Sequence, residues 1–171
     1  QSYVFHFGSS NIANYNYTFG PDNLAEGKPV NYSFNAENVT YDGVDFTQFG
    51  QVIFGWGNNV TIRNCNFSYD NLAVYGVGNL TVSDSMFSAN TSQGLVVQTN
   101  RGANITGNNV TTNCYGCGGY SLYYLSSLVF ANNTATTVGG ESPAVYFYSV
   151  DNALISDSSI TTYGISSLGI G

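Results

Sequence analysis

Short apolar runs recur at nearly regular intervals along the chain. Each run holds three or four residues, most of them β-branched or aromatic, and is bounded by Gly, Asn or Ser. Runs of this kind are typical of short β-strands. The spacing of an amphipathic helix is absent, and the 20 glycines interrupt the chain too often for helices. The pattern therefore predicts an all-β chain, with strands at residues 52–54, 72–75, 95–97, 122–124 and 145–148.

A self-similar segment alternates with these runs. In its clearest form it begins with Asn, an apolar residue and Thr, and it carries further apolar residues three and eight positions after the Asn. Copies begin, with start-to-start spacings of 21, 20, 23, 24 and 26 residues, at Asn38, Asn59, Asn79, Gly102, Ser126 and Asn152. The third position holds Tyr41, Ile62, Val82, Ile105, Val129 and Ile155. The eighth position holds Phe46, Phe67, Phe87, Val110, Thr134 and Ile160.

Tandem repeats of this length, built from short strands and turns, predict a β-solenoid in which each repeat is one coil. Successive coils then stack about 4.8 Å apart, and equivalent residues form ladders along the axis. Leucine-rich repeats share the period but need a leucine frame that this chain lacks. We therefore predict six to seven coils in residues 35–171, preceded by a strand-rich extension and connector in residues 1–34.

The apolar runs carry bulky residues on both strand faces. Alternation predicts that Val52, Leu72, Leu95 and Val145 point inward together with the residues two positions later. The outward side chains then form a stripe on one face of the solenoid, made of Ile53, Tyr75, Val96, Tyr123, Tyr146 and Tyr148. Such a stripe packs against itself, or is covered by the N-terminal segment, a neighbouring subunit or a sugar chain stacked on the Tyr rings.

The segment pattern resembles that of right-handed parallel β-helix proteins of the pectin-lyase-like superfamily. The resemblance rests on an Asn-apolar-Thr-apolar start followed by Asp or Asn and then by Phe-Ser/Thr, and it covers about residues 38–163. It implies a single-stranded, right-handed parallel β-helix, but that superfamily includes lyases, hydrolases, adhesins and structural proteins. The abundance of Asn, Tyr, Ser and Thr with few Lys and Arg also resembles surface proteins of thermoacidophilic archaea.

Enzymes of that superfamily cut acidic polysaccharides, which raises the question of a catalytic site. The Asp-Asp pair, Gly-His-Gly and Arg-x-Lys of polygalacturonase-like enzymes are missing. Asp42 and Asp45, one coil before Arg63, are the only grouping that resembles the calcium and base site of a pectate lyase. We favour a structural role for Asp42, because Asp at turns bonds nearby backbone amides. The single histidine, His6, cannot form a multi-histidine zinc site, and we predict no catalytic, metal or cofactor site.

The three cysteines allow more than one arrangement. Cys114 and Cys117 lie in the longest loop between strands, and in a secreted chain a local disulfide is expected to close that loop. Cys65 occupies a repeat position that Val44, Ser85, Asn108, Asn132 and Ser158 hold in other copies. We interpret it as a small, partly buried free thiol, and pairing of Cys65 with either loop cysteine stays open.

Composition and sequons point to the outside of a cell. The net charge is −7 and the only basic residues are Lys28, Arg63 and Arg101, which argues against nucleic acid as a partner. No apolar run approaches the roughly 20 residues of a membrane span, and Gln1 is what signal-peptide removal would leave. Covalent N-glycans are expected at Asn-x-Ser/Thr sequons, although the repeat itself also generates such sequons. The ten sequons are at Asn16, Asn31, Asn38, Asn59, Asn66, Asn79, Asn90, Asn104, Asn109 and Asn132.

The N-terminal residues suggest how copies could join. Residues 2–7 read as a strand, and we predict that Tyr3, Val4, Phe5 and Phe7 form a subunit interface by adding to the open edge or groove of a neighbour; the alternative is that the strand folds back onto its own coils. The expected function is a structural subunit of a secreted, glycosylated filament or surface assembly. The alternatives are a polysaccharide lyase or hydrolase, and a carbohydrate-binding adhesive module.

Overall fold

Three strand positions recur in successive coils of a right-handed β-helix in the computed structural model. The structure describes residues 11–69, 72–99, 101–165 and 168–171. A 3₁₀ helix spans Ile12–Tyr15. The strands are β1 (Leu24–Ala25), β2 (Lys28–Asp42), β3 (Gln51–Arg63), β4 (Asn66–Tyr69), β5 (Leu72–Ser83), β6 (Met86–Ala89), β7 (Leu95–Gln98), β8 (Gly102–Thr106), β9 (Asn109–Thr112), β10 (Tyr120–Tyr123), β11 (Ser127–Ala131), β12 (Thr134–Val138), β13 (Val145–Tyr148), β14 (Ala153–Ser156) and β15 (Ser159–Tyr163).

The strands form three parallel ladders that run along the axis. The first ladder has the order β2-β3-β5-β7-β10-β13, and the third has the order β4-β6-β9-β12-β15. The second ladder joins the later halves of β2, β3 and β5 to β8, β11 and β14. Only the short hairpin between β1 and the start of β2 is antiparallel among the described strand pairs. The predicted all-β solenoid is confirmed.

Inward side chains stack in the ladders that the repeat predicts. Ile62, Val82 and Ile105 are equivalent residues of successive coils, and all three are fully buried. The rings of Phe46 and Phe67 stack at 4.9 Å between centroids, and Phe67 stacks on Phe87 at 4.7 Å with the planes 3° apart. A continuous apolar core therefore fills the solenoid.

The predicted register of the fifth copy is wrong by one residue. Phe130, not Val129, pairs with Ile105 in the ladder, and Val129 is 37% exposed whereas Phe130 is fully buried. The copy therefore begins at Ser127 rather than Ser126. The later positions shift with it, so that Ala135 replaces Thr134 opposite Val110, and Asn133 replaces Asn132 in the polar row that contains Cys65.

Left-handed backbone at the corners explains why Asn, Asp and Gly recur in the repeat. Asn59 and Asn79 have φ values of 54° and 48°, and Asn64 and Asp84 at the next corner have 54° and 50°. Side chains with a short polar group tolerate this region better than other non-glycine residues. At the corner of Asn64 and Asp84, Gly43 and Gly107 are the equivalent residues of other coils, and both have positive φ. The Asn and Asp residues of the repeat thus have a structural role at the corners.

Candidate functional site

The outward residues of the first ladder form an apolar and aromatic surface, which we call the outer stripe. Its buried part consists of Ile53, Ala73, Tyr75 and Val96, which pack together separately from the interior core. Their sequence neighbours Val52, Leu72, Val74 and Leu95 belong to the interior core. The predicted alternation of inward and outward side chains is therefore correct.

The N-terminal segment covers part of the outer stripe. The 3₁₀ helix places Tyr15 against the stripe, where it is 1% exposed. The centroid of the Tyr15 ring lies 6.0 Å from the centroid of the Trp56 ring and 6.4 Å from that of the Tyr75 ring. Tyr32 donates a hydrogen bond from its hydroxyl to the carbonyl of Tyr15. A segment near the N-terminus, a neighbouring subunit and a sugar chain were the possible covers for the stripe. At Tyr15, the segment near the N-terminus covers it.

The position of Tyr15 was not visible in the sequence. Residues 14–19 alternate between polar and aromatic types, as in a strand, whereas the structure has a 3₁₀ helix at Ile12–Tyr15. Burial of the Tyr32 hydroxyl, with the nearby Tyr17 and Tyr15 phenols, raises the pKa of Tyr32 to about 12. The predicted interface residues, Tyr3, Val4, Phe5 and Phe7, lie outside the described residues, as does His6.

The stripe continues over the last coils as a group of four tyrosines, which we call the tyrosine patch: Tyr123, Tyr124, Tyr146 and Tyr148. The Tyr123 ring lies 5.8 Å from Tyr146 and 6.5 Å from Tyr148, and Tyr124 meets Tyr148 edge-on at 5.4 Å. Tyr124 and Tyr148 are 43% and 49% exposed. The patch therefore presents aromatic faces and phenol hydroxyls at the surface, a combination suited to binding both protein and sugar.

The carboxylates of Asp42 and Asp45, which were considered for catalysis, are hydrogen-bonded to neighbouring residues of the chain. Asp42 accepts a hydrogen bond from Asn64 at 2.8 Å and pairs with Arg63 at 2.9 Å, and these bonds lower the pKa of Asp42. The Asp45 carboxylate accepts the backbone N–H of Thr47 at 3.0 Å, which lowers the pKa of Asp45. The structure thus places Arg63 beside Asp42 in a surface ion pair, and Asp42 bonds side chains where a backbone amide was expected. The carboxylate that bonds a backbone amide in a turn is Asp45. Among the described residues, no group of three His, Cys, Asp or Glu could hold a metal ion.

The cysteines follow the interpretation favoured from the sequence. Cys114 and Cys117 form a disulfide with their Cα atoms 5.5 Å apart. Cys65 is a free, buried thiol, and burial raises its pKa. Its backbone N–H donates to the Ser85 hydroxyl at 3.1 Å, while its thiol donates to the Arg63 carbonyl.

The polar row that contains Cys65 continues inside the later coils as a side-chain ladder. Asn108 is 1% exposed; its Oδ1 accepts the backbone N–H of Ser85 at 3.1 Å, and its Nδ2 donates to the Val82 carbonyl at 2.8 Å. Asn133 repeats this arrangement one coil later by donating to Ile105. Sequence reasoning grouped most of these residues by position but did not identify them as a buried hydrogen-bond ladder. The signal was present, because Ser and Asn recur at one repeat position between apolar ones.

The sequon asparagines lie on the outside of the solenoid. Asn31 is half-buried and the other nine are exposed. Asn38, Asn59 and Asn79 occupy one corner of three successive coils and are hydrogen-bonded to one another through their side-chain amides. In the part of the chain that the structure describes, no helix is long and apolar enough to cross a membrane.

The coil stack agrees with what is found among known proteins. Residues 30–170 match the family described as the right handed beta helix region, and the chain belongs to this family. This identifies the protein as a right-handed parallel β-helix protein. No curated protein and no solved structure matches the chain significantly. The match covers the coils from β2 onward and carries no assignment of activity.

Proposed function

We propose that the protein is a structural subunit of a secreted, N-glycosylated filament or surface assembly, whose partners are copies of itself. The observation that carries the proposal is the outer stripe, which the chain's own segment covers at Tyr15 and which continues as the partly exposed tyrosine patch. The N-terminal strand, with Tyr3, Val4, Phe5 and Phe7, joins a neighbouring copy by strand addition beside this patch. Stacking of coil ends is the other route to the same head-to-tail order.

The geometry of such a contact favours a filament. A contact between the N-terminal residues of one copy and the tyrosine patch of the next would join two different surfaces, so it would be heterologous. Repeated contacts of this type give an open chain of subunits unless a rotation closes a ring. Apolar and aromatic side chains supply the association energy, because burying aromatic rings removes a large area from water.

Surface chemistry supports an extracellular location. The described exterior carries exposed sequons in several rows, and a glycan on an exposed Asn adds a bulky, hydrated group. The disulfide Cys114–Cys117 is of a kind that persists in oxidising compartments. With 3 basic and 10 acidic residues in the whole chain, few groups change charge with pH.

Electron microscopy of the native protein tests the proposal, with a variant that lacks residues 1–10. We expect continuous filaments of the native protein and folded, soluble monomers of the truncated one. Tyr148→Ser removes an exposed ring of the patch and should weaken assembly, while Tyr163→Ser, at a 61% exposed tyrosine outside the patch, should leave it unchanged. Dispersed particles of the native protein would contradict the proposal. Filaments that survive the truncation would contradict strand addition and leave stacking of coil ends as the route of assembly.

The tyrosine patch also favours one second candidate, a carbohydrate-binding adhesive module. Partly exposed Tyr rings with centroids 5.4–6.5 Å apart offer stacking faces to a sugar chain. Binding of a glycan by the native protein without turnover, lost in Tyr148→Ser and retained in Tyr163→Ser, would favour this function over assembly. No observation specifically favours a polysaccharide lyase or hydrolase.

A further inference from the structure

The ten sequons differ in what their amides already bind. Asn38, Asn59 and Asn79, which we call the asparagine row, lie at the same corner of three successive coils with φ of 53°, 54° and 48°. The Asn59 Nδ2 donates to the Asn38 Oδ1 at 2.8 Å, and the Asn79 Nδ2 donates to the Asn59 Oδ1 at 3.0 Å. Asn59 is therefore bonded on both sides through its amide.

Attachment of a glycan conflicts with this row. In N-glycosylation the Asn Nδ2 forms a bond to the anomeric carbon of a sugar chain activated as a lipid phosphate. The bond from that carbon to the phosphate oxygen breaks, the lipid phosphate leaves, and a base of the transferase takes one Nδ2 proton. Only one of the two amide N–H donors then remains. Asn79 uses its Nδ2 toward two acceptors, Asn59 Oδ1 at 3.0 Å and Asn58 Oδ1 at 3.4 Å, and could not retain both.

Space in the row is a second obstacle. Neighbouring coils are about 4.8 Å apart, and each glycan is a bulky group. A glycan on Asn59 would stand between two side chains that are within hydrogen-bond distance of its own amide. Glycans on all three asparagines would have to stand side by side in one row, with attachment points only about 4.8 Å apart.

Six other sequons have neither obstacle. Their asparagines are exposed, and their side-chain amides make no hydrogen bond to any described residue. Asn66 and Asn109 belong to one row but are separated in it by Met86, so that glycans on both are two coils apart. The members of this set, which we call the outer sequons, are Asn16, Asn66, Asn90, Asn104, Asn109 and Asn132.

We infer that N-glycans attach at the outer sequons, and that the asparagine row is a structural amide ladder that stays unmodified. This inference rests on the proposed function only in that the protein is an N-glycoprotein. The row then acts as a part of the fold that sets the corner geometry of the first three coils, although its sequence is that of three modification sites.

Glycopeptide mapping of the protein isolated from its producing cells tests the inference. The expected result is glycan-bearing peptides at outer sequons and unmodified peptides at Asn38, Asn59 and Asn79. A glycan at Asn59 or Asn79 would overturn the inference and leave the proposed glycoprotein intact. An absence of glycans at every sequon would overturn both, and filaments in the electron microscope would still report on assembly independently.

A pair of variants tests the second part of the inference, that the asparagine row stabilises the fold. Asn59→Asp removes the amide donor to Asn38 but keeps a side chain that tolerates positive φ. Asn35→Asp makes the same chemical change at an exposed asparagine with φ of 55° that lies in no sequon. We expect Asn59→Asp to lower the thermal midpoint by about 2–4 °C more than Asn35→Asp, as loss of one hydrogen bond in a chain of this size implies. Equal midpoints for the two variants would contradict a ladder role.

Discussion

Phe67 is the middle ring of the aromatic stack inside the first three coils, and its removal should lower stability strongly. The side chain is 4% exposed and lies between the rings of Phe46 and Phe87 at 4.9 and 4.7 Å. Phe→Ala at a buried site costs about 3–5 kcal/mol because apolar transfer energy is lost and a cavity remains. Both ring contacts disappear as well, so we expect about 4 kcal/mol for Phe67→Ala. At roughly 2–4 °C per kcal/mol for a chain of this size, the midpoint falls by about 8–16 °C.

Thermal unfolding followed by circular dichroism, with urea unfolding as a second measure, tests this value. Met86→Ala is the matched control because Met86 is 58% exposed and precedes Phe87 in β6. A surface change of that kind alters stability by no more than about 0.5 kcal/mol. If Phe67→Ala and Met86→Ala lowered the midpoint equally, the stack would carry no special share of the core energy, and the reasoning would be refuted.

Three further predictions concern buried polar groups. Asn108→Ala should cost about 2–3 kcal/mol in urea unfolding, because the backbone N–H of Ser85 loses its acceptor. Cys65→Ser should change stability by less than about 1 kcal/mol, since Ser85 holds the same position one coil later; the wild-type thiol should react with a thiol reagent only after unfolding. The contribution of Tyr32 to the free energy of unfolding should be fully present below pH 10 and be lost as the pH rises toward 12. The reason is that the pKa of its phenol is about 12 in the folded protein and about 10 in the unfolded chain.

A specific result would contradict each of these three predictions. A loss for Asn113→Ala, at an exposed asparagine outside any sequon, as large as that for Asn108→Ala would remove the case for a buried ladder. Rapid labelling of Cys65 in the folded protein would contradict its burial. Tyr32→Phe should make the midpoint less sensitive to alkali, and an unchanged pH dependence in that variant would assign the alkaline loss to other groups.

The sequence predicted the ladders because each coil repeats two independent signals. Alternation fixed which face of the strand at Val52, Ile53 and Phe54 points inward, and the recurring Asn and Asp marked the corners where φ is positive. Both signals are local, so one chain sufficed to read them. The proximity of Asp42 and Arg63 followed from the same period, since equivalent positions lie side by side, but their ion pair was seen only in the structure.

The fifth copy and the N-terminal segment could not be read in this way. Ser126 and Ser127 are adjacent, and Val129 and Phe130 are both apolar, so the copy fits the repeat equally well in two registers. Burial of Phe130 inside the stack decides between them, and that contact is long-range. Tyr15 likewise has a local pattern typical of a strand, while its position depends on packing against coils far along the chain.

The constant register of the three ladders makes the coil a unit of length. Copying one full period that begins at Asn59 would add a coil whose apolar faces and corners already match the coils above and below, and would lengthen the molecule by about 4.8 Å. An insertion of half a period would instead turn interior side chains toward water. Duplication of one period of the gene can therefore lengthen this protein in steps of one coil, while its cross-section stays the same.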